Sequence, residues 1–188
     1  SLPRWLMEKI IGIHRKKLLP DFSFYTFEKW SSKMGLIREN EKAETVLFQT
    51  CYVQHNEPQI GKDTLEVLKK NKVDCACLKG LRCCGMPAWE QGDLETLRVN
   101  AKHNLEILIP FVEKGSKVLV INPTCSMMMR REYKNLLEGE DREKAKILSE
   151  AVNDPSEFLW NIRSEERFNT DVKISPKTIS YHAPCHLR

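Results

Sequence analysis

The stretch that decides both the fold and the chemistry of this chain is residues 81–87, LRCCGMP, in which two adjacent cysteines precede a glycine. Neighbouring side chains on an extended strand point to opposite faces, so one packing environment cannot take both cysteines. A turn can direct both sulfurs to one place, and Gly85 allows the backbone to come close to a bound group. The stretch alone is equally compatible with a loop that buries two small thiols, so the other cysteines decide between the two readings.

The composition is that of a globular protein of one large domain, or of one domain plus a fragment. The chain has 188 residues, of which 41% are hydrophobic and 30% charged, so it can bury a core. No apolar run is as long as a membrane-spanning helix, which needs about 18 apolar residues. Residues 2–13 lack the cleavage site of a signal peptide. The seven cysteines are not spaced as a small disulfide framework. These features predict a cytoplasmic protein whose thiolates are available as metal ligands.

The charge pattern does not favour nucleic-acid binding. Net charge is only +4, and no basic stripe interleaved with aromatic residues accompanies the basic clusters at 14–17 and 130–134. We read both clusters as solvated helix faces.

Strand and helix signals alternate along the chain. Short apolar runs rich in β-branched and aromatic residues predict strands at 45–50, 73–78, 117–122 and 178–182. Apolar residues at helical spacing predict helices at about 1–20, 61–71, 91–114, 123–137 and, in two pieces divided near Asp154-Pro155, over 139–166. Asp93 is the expected N-cap of the long central helix. The pattern predicts an α/β fold, with a parallel sheet, flanking helices and a helical N-terminal segment before them.

A cysteine follows each of the four predicted strands within a few residues. In chain order these are Cys51, the Cys83-Cys84 pair, Cys125 and Cys185. The carboxyl ends of parallel strands share one edge of the sheet, where such folds place ligands, so distant cysteines should converge there. Gathered thiolates repel one another, and a tetrahedral zinc ion or an iron–sulfur cluster compensates for this. Zinc sites usually contain CxxC, which is absent here, and this mildly favours an iron–sulfur cluster.

The cysteine spacing resembles the cysteine-rich CCG domain. That domain occurs, usually twice per chain, in the B subunit of heterodisulfide reductase, in the iron–sulfur subunit of anaerobic glycerol-3-phosphate dehydrogenase, and in lactate-utilisation and glycolate-oxidase subunits. Its pattern is Cys, a long gap, Cys-Cys-Gly, a second long gap and CxxC. Here 31 residues separate Cys51 from Cys83, and 40 separate Cys84 from Cys125. Residues 181–187, YHAPCHL, are similar to the opening of a second repeat.

The resemblance implies a division of the chain into three parts. Residues 1–40 would be the helical N-terminal segment and a linker, residues 41–174 the first cysteine-rich domain, and residues 175–188 the start of a truncated second repeat. Catalysis by these 188 residues alone is therefore not expected.

The resemblance also implies an iron–sulfur electron-transfer subunit of a heterodisulfide reductase-like or glycerol-3-phosphate dehydrogenase-like complex. Its cofactor would be a 4Fe-4S or a non-cubane cluster, and its ligands would be Cys51, Cys83, Cys84 and Cys125. Expected partners are a flavin-containing dehydrogenase or reductase subunit and a ferredoxin-type iron–sulfur domain, with a quinone or a disulfide as acceptor. Such a complex would be cytoplasmic, with peripheral attachment to the inner face of the membrane as a variant.

The chain departs from the family pattern at one position. The second cysteine of the final CxxC would be residue 128, which is Met128 here. A core methionine is the favoured reading, and a weak thioether ligand is the alternative. With four thiolates, a cubane cluster, a smaller cluster, a structural zinc ion and a metal-free repeat all remain open.

Two other functions compete with electron transfer. In the first, a zinc-stapled domain docks partners while the redox centre lies in the second repeat. In the other, Cys83 and Cys84 carry out thiol–disulfide exchange. The last is disfavoured because a disulfide between adjacent residues is strained and no CxxC is present.

The remaining cysteines, two histidines and one tryptophan are interpreted mainly as structural residues. Cys75 and Cys77 alternate with Ala76 on a predicted strand, so we assign both to the core. Cys185 is assigned to the second repeat, and its neighbours His182 and His186 are read as structural. Trp89 is expected either to shield a cluster from solvent or simply to pack.

Overall fold

A sheet of four parallel strands forms the centre of the computed structural model, which describes residues 2–39, 41–171, 173 and 177–187. In chain order the described strands are β1 (Thr45–Phe48), β2 (Cys75–Cys77), β3 (Lys117–Val120) and β4 (Val152–Asn153). They lie in the order β2-β1-β3-β4, and each neighbouring pair is parallel. The predicted α/β fold is therefore confirmed, with strands shorter than the apolar runs that predicted them.

Helices connect the strands and cover both faces of the sheet. They are α1 (Leu2–Ile11), α2 (Phe27–Lys33), α3 (Thr50–His55), α4 (Pro58–Lys70), α5 (Met86–Glu90), α6 (Leu94–Val112), α7 (Pro123–Met127), α8 (Tyr133–Leu136), α9 (Gly139–Ala151) and α10 (Pro155–Asn161). A π-helical turn, Met128–Glu132, joins α7 to α8, and a 3₁₀ turn spans Cys185–Leu187. No helix among the described residues is both long enough and apolar enough to cross a bilayer.

The strands are buried on both faces, and successive residues serve different layers. Val46 and Phe48 pack with α6, α8 and α9 on one side, whereas Leu47 packs with α2, α4 and α10 on the other. Strands covered on both faces read as continuous apolar runs, which is why 45–50 and 117–122 were recognisable in the sequence.

The long central helix begins where the sequence predicted its N-cap. The Asp93 carboxylate accepts a hydrogen bond from the Thr96 backbone N–H at 3.0 Å. The predicted helix at 91–114 starts later than expected, because the short helix α5 and a turn through Gly92 precede it.

The predicted strand at 178–182 is wrong. Residues 177–184 are irregular, and Ile179 and Tyr181 are 87% and 81% exposed. A strand needs a pairing partner, and the edge of β3 away from β1 is already paired with β4. The strand β4 itself was missed because two residues carry no pattern. Residues 174–176, at the predicted boundary between the two repeats, lie outside the described residues.

Two parts of the N-terminal segment differ in burial. In α1 the side chains of Leu6, Ile10 and Ile11 are exposed, the last two by 74% and 61%. In α2, by contrast, Phe27 is fully buried and packs so closely on Gly61 of α4 that a Cβ there would lie 2.5 Å from its ring. The helix α2 therefore belongs to the core of the sheet domain.

Candidate functional site

Four of the five cysteines predicted to follow strands lie together at the carboxyl edge of the sheet. Cys51 lies in the first turn of α3, directly after β1, and Cys125 lies in the first turn of α7, directly after β3. Cys83 and Cys84 occupy the loop between β2 and α5. The thiol of Cys51 is hydrogen-bonded to that of Cys83, Cys83 to Cys84, and Cys84 to Cys125. We call these four residues the thiol site.

The thiol site runs from the surface into the core. Cys51 is exposed and Cys83 half-buried, whereas Cys84 and Cys125 are only 2% and 6% exposed. A cavity of about 400 Å³ borders the outer pair, and Gln49, Thr50 and Arg82 contribute to its wall. Among the described residues, the site therefore opens to the surface at Cys51 and Cys83.

Hydrogen bonds within the thiol site distribute the negative charge unequally. The Cys51 and Cys84 thiols, together with the Gly85 backbone N–H, hold the pKa of Cys83 down to about 2 despite its partial burial. The pKa of Cys51 is raised by its hydrogen bond to Cys83 and by burial, and that of Cys84 by its hydrogen bonds to Cys125 and Cys83 and by burial. The pKa of Cys83 is thus lowered by hydrogen bonds from two thiols and from a backbone donor, whereas the pKa values of Cys51 and Cys84 are raised.

The backbone at Gly85 requires glycine for two reasons. Its φ of +90° lies in the left-handed region, and a Cβ there would lie 3.0 Å from Leu97 Cγ on α6. The glycine turns the chain into α5, so that the Met86 N–H also donates to the Cys84 sulfur. The sequence predicted a turn that aims both sulfurs at one place, and the structure contains that turn.

Local geometry also places the two outer ligand candidates. Thr50 has a φ of +61°, which is strained for a β-branched residue, and its Oγ1 accepts a hydrogen bond from the Val53 N–H at 3.3 Å. Asn122 caps α7 by accepting from the Thr124 N–H at 2.9 Å. Both hydrogen bonds lie at the start of a helix that follows a strand, and Cys51 and Cys125 each lie in the first turn of that helix.

Two fully buried side chains hold the loop that contains Cys83 and Cys84, which we call the double-cysteine loop. The sequence analysis missed both side chains. Asn104 on α6 accepts from the Arg82 N–H at 2.8 Å and donates to the carbonyls of Arg82 and Cys83 at 3.2 and 3.4 Å. Tyr133 on α8 donates its hydroxyl to the Cys84 carbonyl at 2.9 Å, and burial raises the pKa of Tyr133. The one signal in the sequence was Asn104 itself, a polar residue within the apolar stripe of α6.

The remaining candidates lie away from the thiol site or pack in the core. Met128 is fully buried in the apolar core, in agreement with its structural reading. Cys77 is 1% exposed and Cys75 packs beside it in the apolar layer below the sheet, so both are core residues as predicted. Cys185 is exposed. The ring of His186 is hydrogen-bonded to Thr124 Oγ1 through Nδ1, at 3.0 Å.

Two roles proposed for neighbours of the cysteines stay predictions. His182 is exposed, as is Trp89, which is 37% exposed on α5.

Comparisons with known proteins agree with the cysteine spacing. Residues 45–130, which include the whole thiol site, match the family model of the cysteine-rich domain CCG. The chain is 29% identical to the C subunit of anaerobic glycerol-3-phosphate dehydrogenase of Escherichia coli (strain K12) over 185 residues, 98% of this chain and 46% of that protein. It is 28% identical to lactate utilization protein A 2 of Bacillus cereus (strain AH820) over 143 residues, 75% of this chain and 56% of that protein.

These matches cover only part of each relative. The chain spans about half the length of the curated relatives it matches. No solved structure shows a significant match. Residues 45–130, which contain the thiol site, are therefore similar to the cysteine-rich domain CCG.

Proposed function

We propose that this chain is an electron-transfer component of an oxidoreductase complex and that the thiol site holds an iron–sulfur cluster. The observation that carries the proposal is the continuous contact of four thiols delivered by three neighbouring strands. The matched relatives are named as a subunit of a dehydrogenase and as a lactate utilization protein, which agrees with a role in oxidoreduction.

The donor set of the site fits an iron–sulfur cluster. Its four side chains are soft sulfur donors, and backbone N–H groups of Gly85 and Met86 donate to two of them. Within the described residues, no three or more His, Cys, Asp or Glu side chains are already arranged to hold a metal ion. The thiols are instead hydrogen-bonded to one another, so we expect them to lose protons and to rotate when a cluster binds.

The number of thiolates favours one type of cluster. A cluster bound at this site would supply one-electron transfer, and four cysteines are the usual ligand set of a 4Fe-4S cubane. The five-thiolate site that the family uses for non-cubane clusters lacks one thiolate here, because residue 128 is a methionine, which has a thioether sulfur and is buried in the core. We therefore propose a 4Fe-4S cubane ahead of a non-cubane cluster.

The residues around the site suggest how electrons would enter or leave. Cys51 is exposed beside an open cavity, whereas Cys84 and Cys125 are shielded by the core. A redox partner would therefore approach from the Cys51 side. We propose a flavin-containing dehydrogenase subunit and a ferredoxin-type domain as partners, and a quinone or a disulfide as the acceptor.

The location we propose is the cytoplasm, with attachment to the inner face of the membrane through the complex. The exposed apolar side chains of α1, Leu6, Ile10 and Ile11, support a docking role for this segment.

A zinc-stapled docking domain is the second candidate, because four cysteines in mutual contact are also a common zinc ligand set. Anaerobic purification followed by quantification of iron, acid-labile sulfide and zinc separates the two. We expect iron and sulfide in near-stoichiometric amounts, with absorption at about 400 nm. Cys83→Ser should lose both, and Cys185→Ser, at an exposed cysteine outside the site, should retain them. Stoichiometric zinc alone would favour the second candidate, and a folded protein with neither metal would refute the ligand assignment.

A further inference from the structure

One peptide unit of the double-cysteine loop is held at both of its polar ends. Its carbonyl is that of Cys84, which accepts a hydrogen bond from Tyr133 Oη at 2.9 Å. Its N–H is that of Gly85, which donates to the Cys83 sulfur. A trans peptide is planar, and its carbonyl and N–H point in opposite directions. Fixing the carbonyl toward α8 therefore fixes the N–H toward the thiol site.

The residue after this peptide makes such a restraint necessary. Gly85 lacks a side chain and adopts a φ of +90°, so rotation of the Cys84–Gly85 peptide meets little steric resistance. The peptides on either side are held separately. Asn104 holds the carbonyls of Arg82 and Cys83, and the Gly85 carbonyl accepts from the Trp89 N–H at 2.9 Å. The hydroxyl of Tyr133 is the side-chain group that acts on the peptide between them.

Tyr133 is suited to this role by its surroundings. Its side chain is fully buried on α8, directly after the π-helical turn Met128–Glu132. Turns of this kind often occur at functional sites. The hydroxyl is a neutral donor, and the group of the loop to which it donates is the backbone carbonyl of Cys84.

We propose that Tyr133 is a positioning residue that sets the reduction potential of the bound cluster by orienting the Gly85 N–H toward the Cys83 sulfur. This inference rests on the proposed function. An N–H donor at a ligand sulfur stabilises the reduced state, which carries the additional negative charge, and so raises the potential. Without the Tyr133 hydroxyl the peptide is free to rotate, the donor is lost, and the potential falls.

The test compares Tyr133→Phe with Tyr52→Phe, which removes a hydroxyl from the half-exposed residue next to Cys51. The first readout uses the metal-free, reduced protein, in which hydrogen exchange of the Gly85 amide is followed by NMR. Exchange should be slow in the unmodified protein. It should become roughly fivefold to tenfold faster in Tyr133→Phe, the factor expected for loss of one neutral hydrogen bond, and stay unchanged in Tyr52→Phe.

The second readout is the midpoint potential of the reconstituted cluster, which should become more negative in Tyr133→Phe only. An unchanged potential in a folded, cluster-loaded Tyr133→Phe protein would overturn the inference. Rapid exchange of the Gly85 amide in the unmodified protein would also overturn it, and that measurement needs no variant. If no cluster binds to the unmodified protein, the proposed function fails, whereas a normal cluster with an unshifted potential refutes only the role of Tyr133.

Discussion

Two groups of cysteines lie only a few residues apart along this chain and have opposite environments. Cys75 and Cys77, which we call the core pair, lie within β2, where burial raises the pKa of each thiol to about 12. Cys83 lies beyond the end of the same strand, where hydrogen bonds from Cys51, Cys84 and the Gly85 N–H lower its pKa to about 2. The same residue type is therefore an apolar packing group with a raised pKa in one place and a hydrogen-bonded thiol with a lowered pKa in the other.

The difference follows from what the backbone does at each position. Within a strand, the backbone groups are engaged with neighbouring strands and the side chains face apolar layers, so a thiol finds few donors. Beyond the strand end the chain turns at Gly85, and free N–H groups point toward the sulfurs. Position relative to the strand end, and not cysteine content, decides which thiols can serve as ligands.

The largest expected effect separates the two groups by their capacity to bind metal. Cys125→Ala removes one of four sulfurs from the thiol site and should reduce bound iron to near zero after anaerobic reconstitution. Cys77→Val keeps a similar volume in the core and should retain full iron content, with a loss of stability below about 1.5 kcal/mol. Iron per protein, measured on both variants in parallel, checks this. Equal iron content in the two variants would contradict the assignment of metal binding to the thiol site.

A large effect is also expected at the residue that supports the loop. Asn104→Leu leaves the buried Arg82 N–H and the Arg82 and Cys83 carbonyls without their partner, so it should lower the free energy of unfolding by about 3 kcal/mol. Asn100→Leu, one turn earlier on α6 and only half-buried, is the matched control and should change it by less than about 1 kcal/mol. Urea unfolding of the metal-free proteins measures both. Similar losses in the two variants would show that Asn104 has no special part in holding the loop.

Alkylation kinetics should distinguish the core pair from an exposed cysteine. Cys77 is buried in the apolar layer and Cys75 is partly buried against it, and burial raises the pKa of both thiols to about 12, so iodoacetamide should label them mainly through unfolding. Raising the pH from 7 to 9 should leave them unlabelled, whereas the exposed Cys185 should react at once. Mass spectrometry of the labelled peptides gives the rates. Rapid labelling of Cys77 in folded protein is the contrary result.

The smallest effect concerns a surface ion pair next to the core pair. Arg38 forms two hydrogen bonds with the Asp74 carboxylate, at 2.7 and 2.6 Å, and the hydrogen bond from Arg38 holds the pKa of Asp74 below its usual value. Since Asp74 is half exposed, Arg38→Ala should lower stability at pH 7 by only about 0.5 kcal/mol.

The pH dependence of this pair has a definite sign. A carboxylate whose pKa is lowered by folding stabilises the protein above its unfolded pKa, and this contribution disappears as the pH falls through the folded value. Thermal unfolding should therefore show a small difference between the two proteins at pH 7 and almost none at about pH 2. A difference that grows in acid would exclude the ion pair as its source.

Sequence reasoning succeeded where the signal was local and failed where it was tertiary. The runs at 45–50 and 117–122 are continuously apolar, which indicates strands buried on both faces. The convergence of the cysteines that follow the strands could be predicted from the topology of parallel sheets. The segment at 178–182 has strand-like composition but pairs with none of the described strands, and β4 is too short to produce a pattern.

The support of the thiol site was the part that could not be predicted. Asn104 and Tyr133 act on backbone carbonyls of a loop that lies far earlier in the chain, at separations of 21, 22 and 49 positions. The position of Asn104 within the apolar stripe of α6 indicates a buried polar contact but not its partner, and nothing along the chain near Tyr133 indicates its contact with Cys84. Only the packing of α6 and α8 against the loop creates it.

The most direct test of the central claim is electron paramagnetic resonance of the anaerobically reconstituted protein, before and after reduction with dithionite. If the thiol site carries electrons, reduction should produce a signal from a one-electron-reduced iron–sulfur cluster. That signal should be absent in Cys84→Ser and preserved in Cys77→Val. A reconstituted, folded protein that gives no signal from such a cluster in either oxidation state, or a signal that survives Cys84→Ser, would contradict the claim.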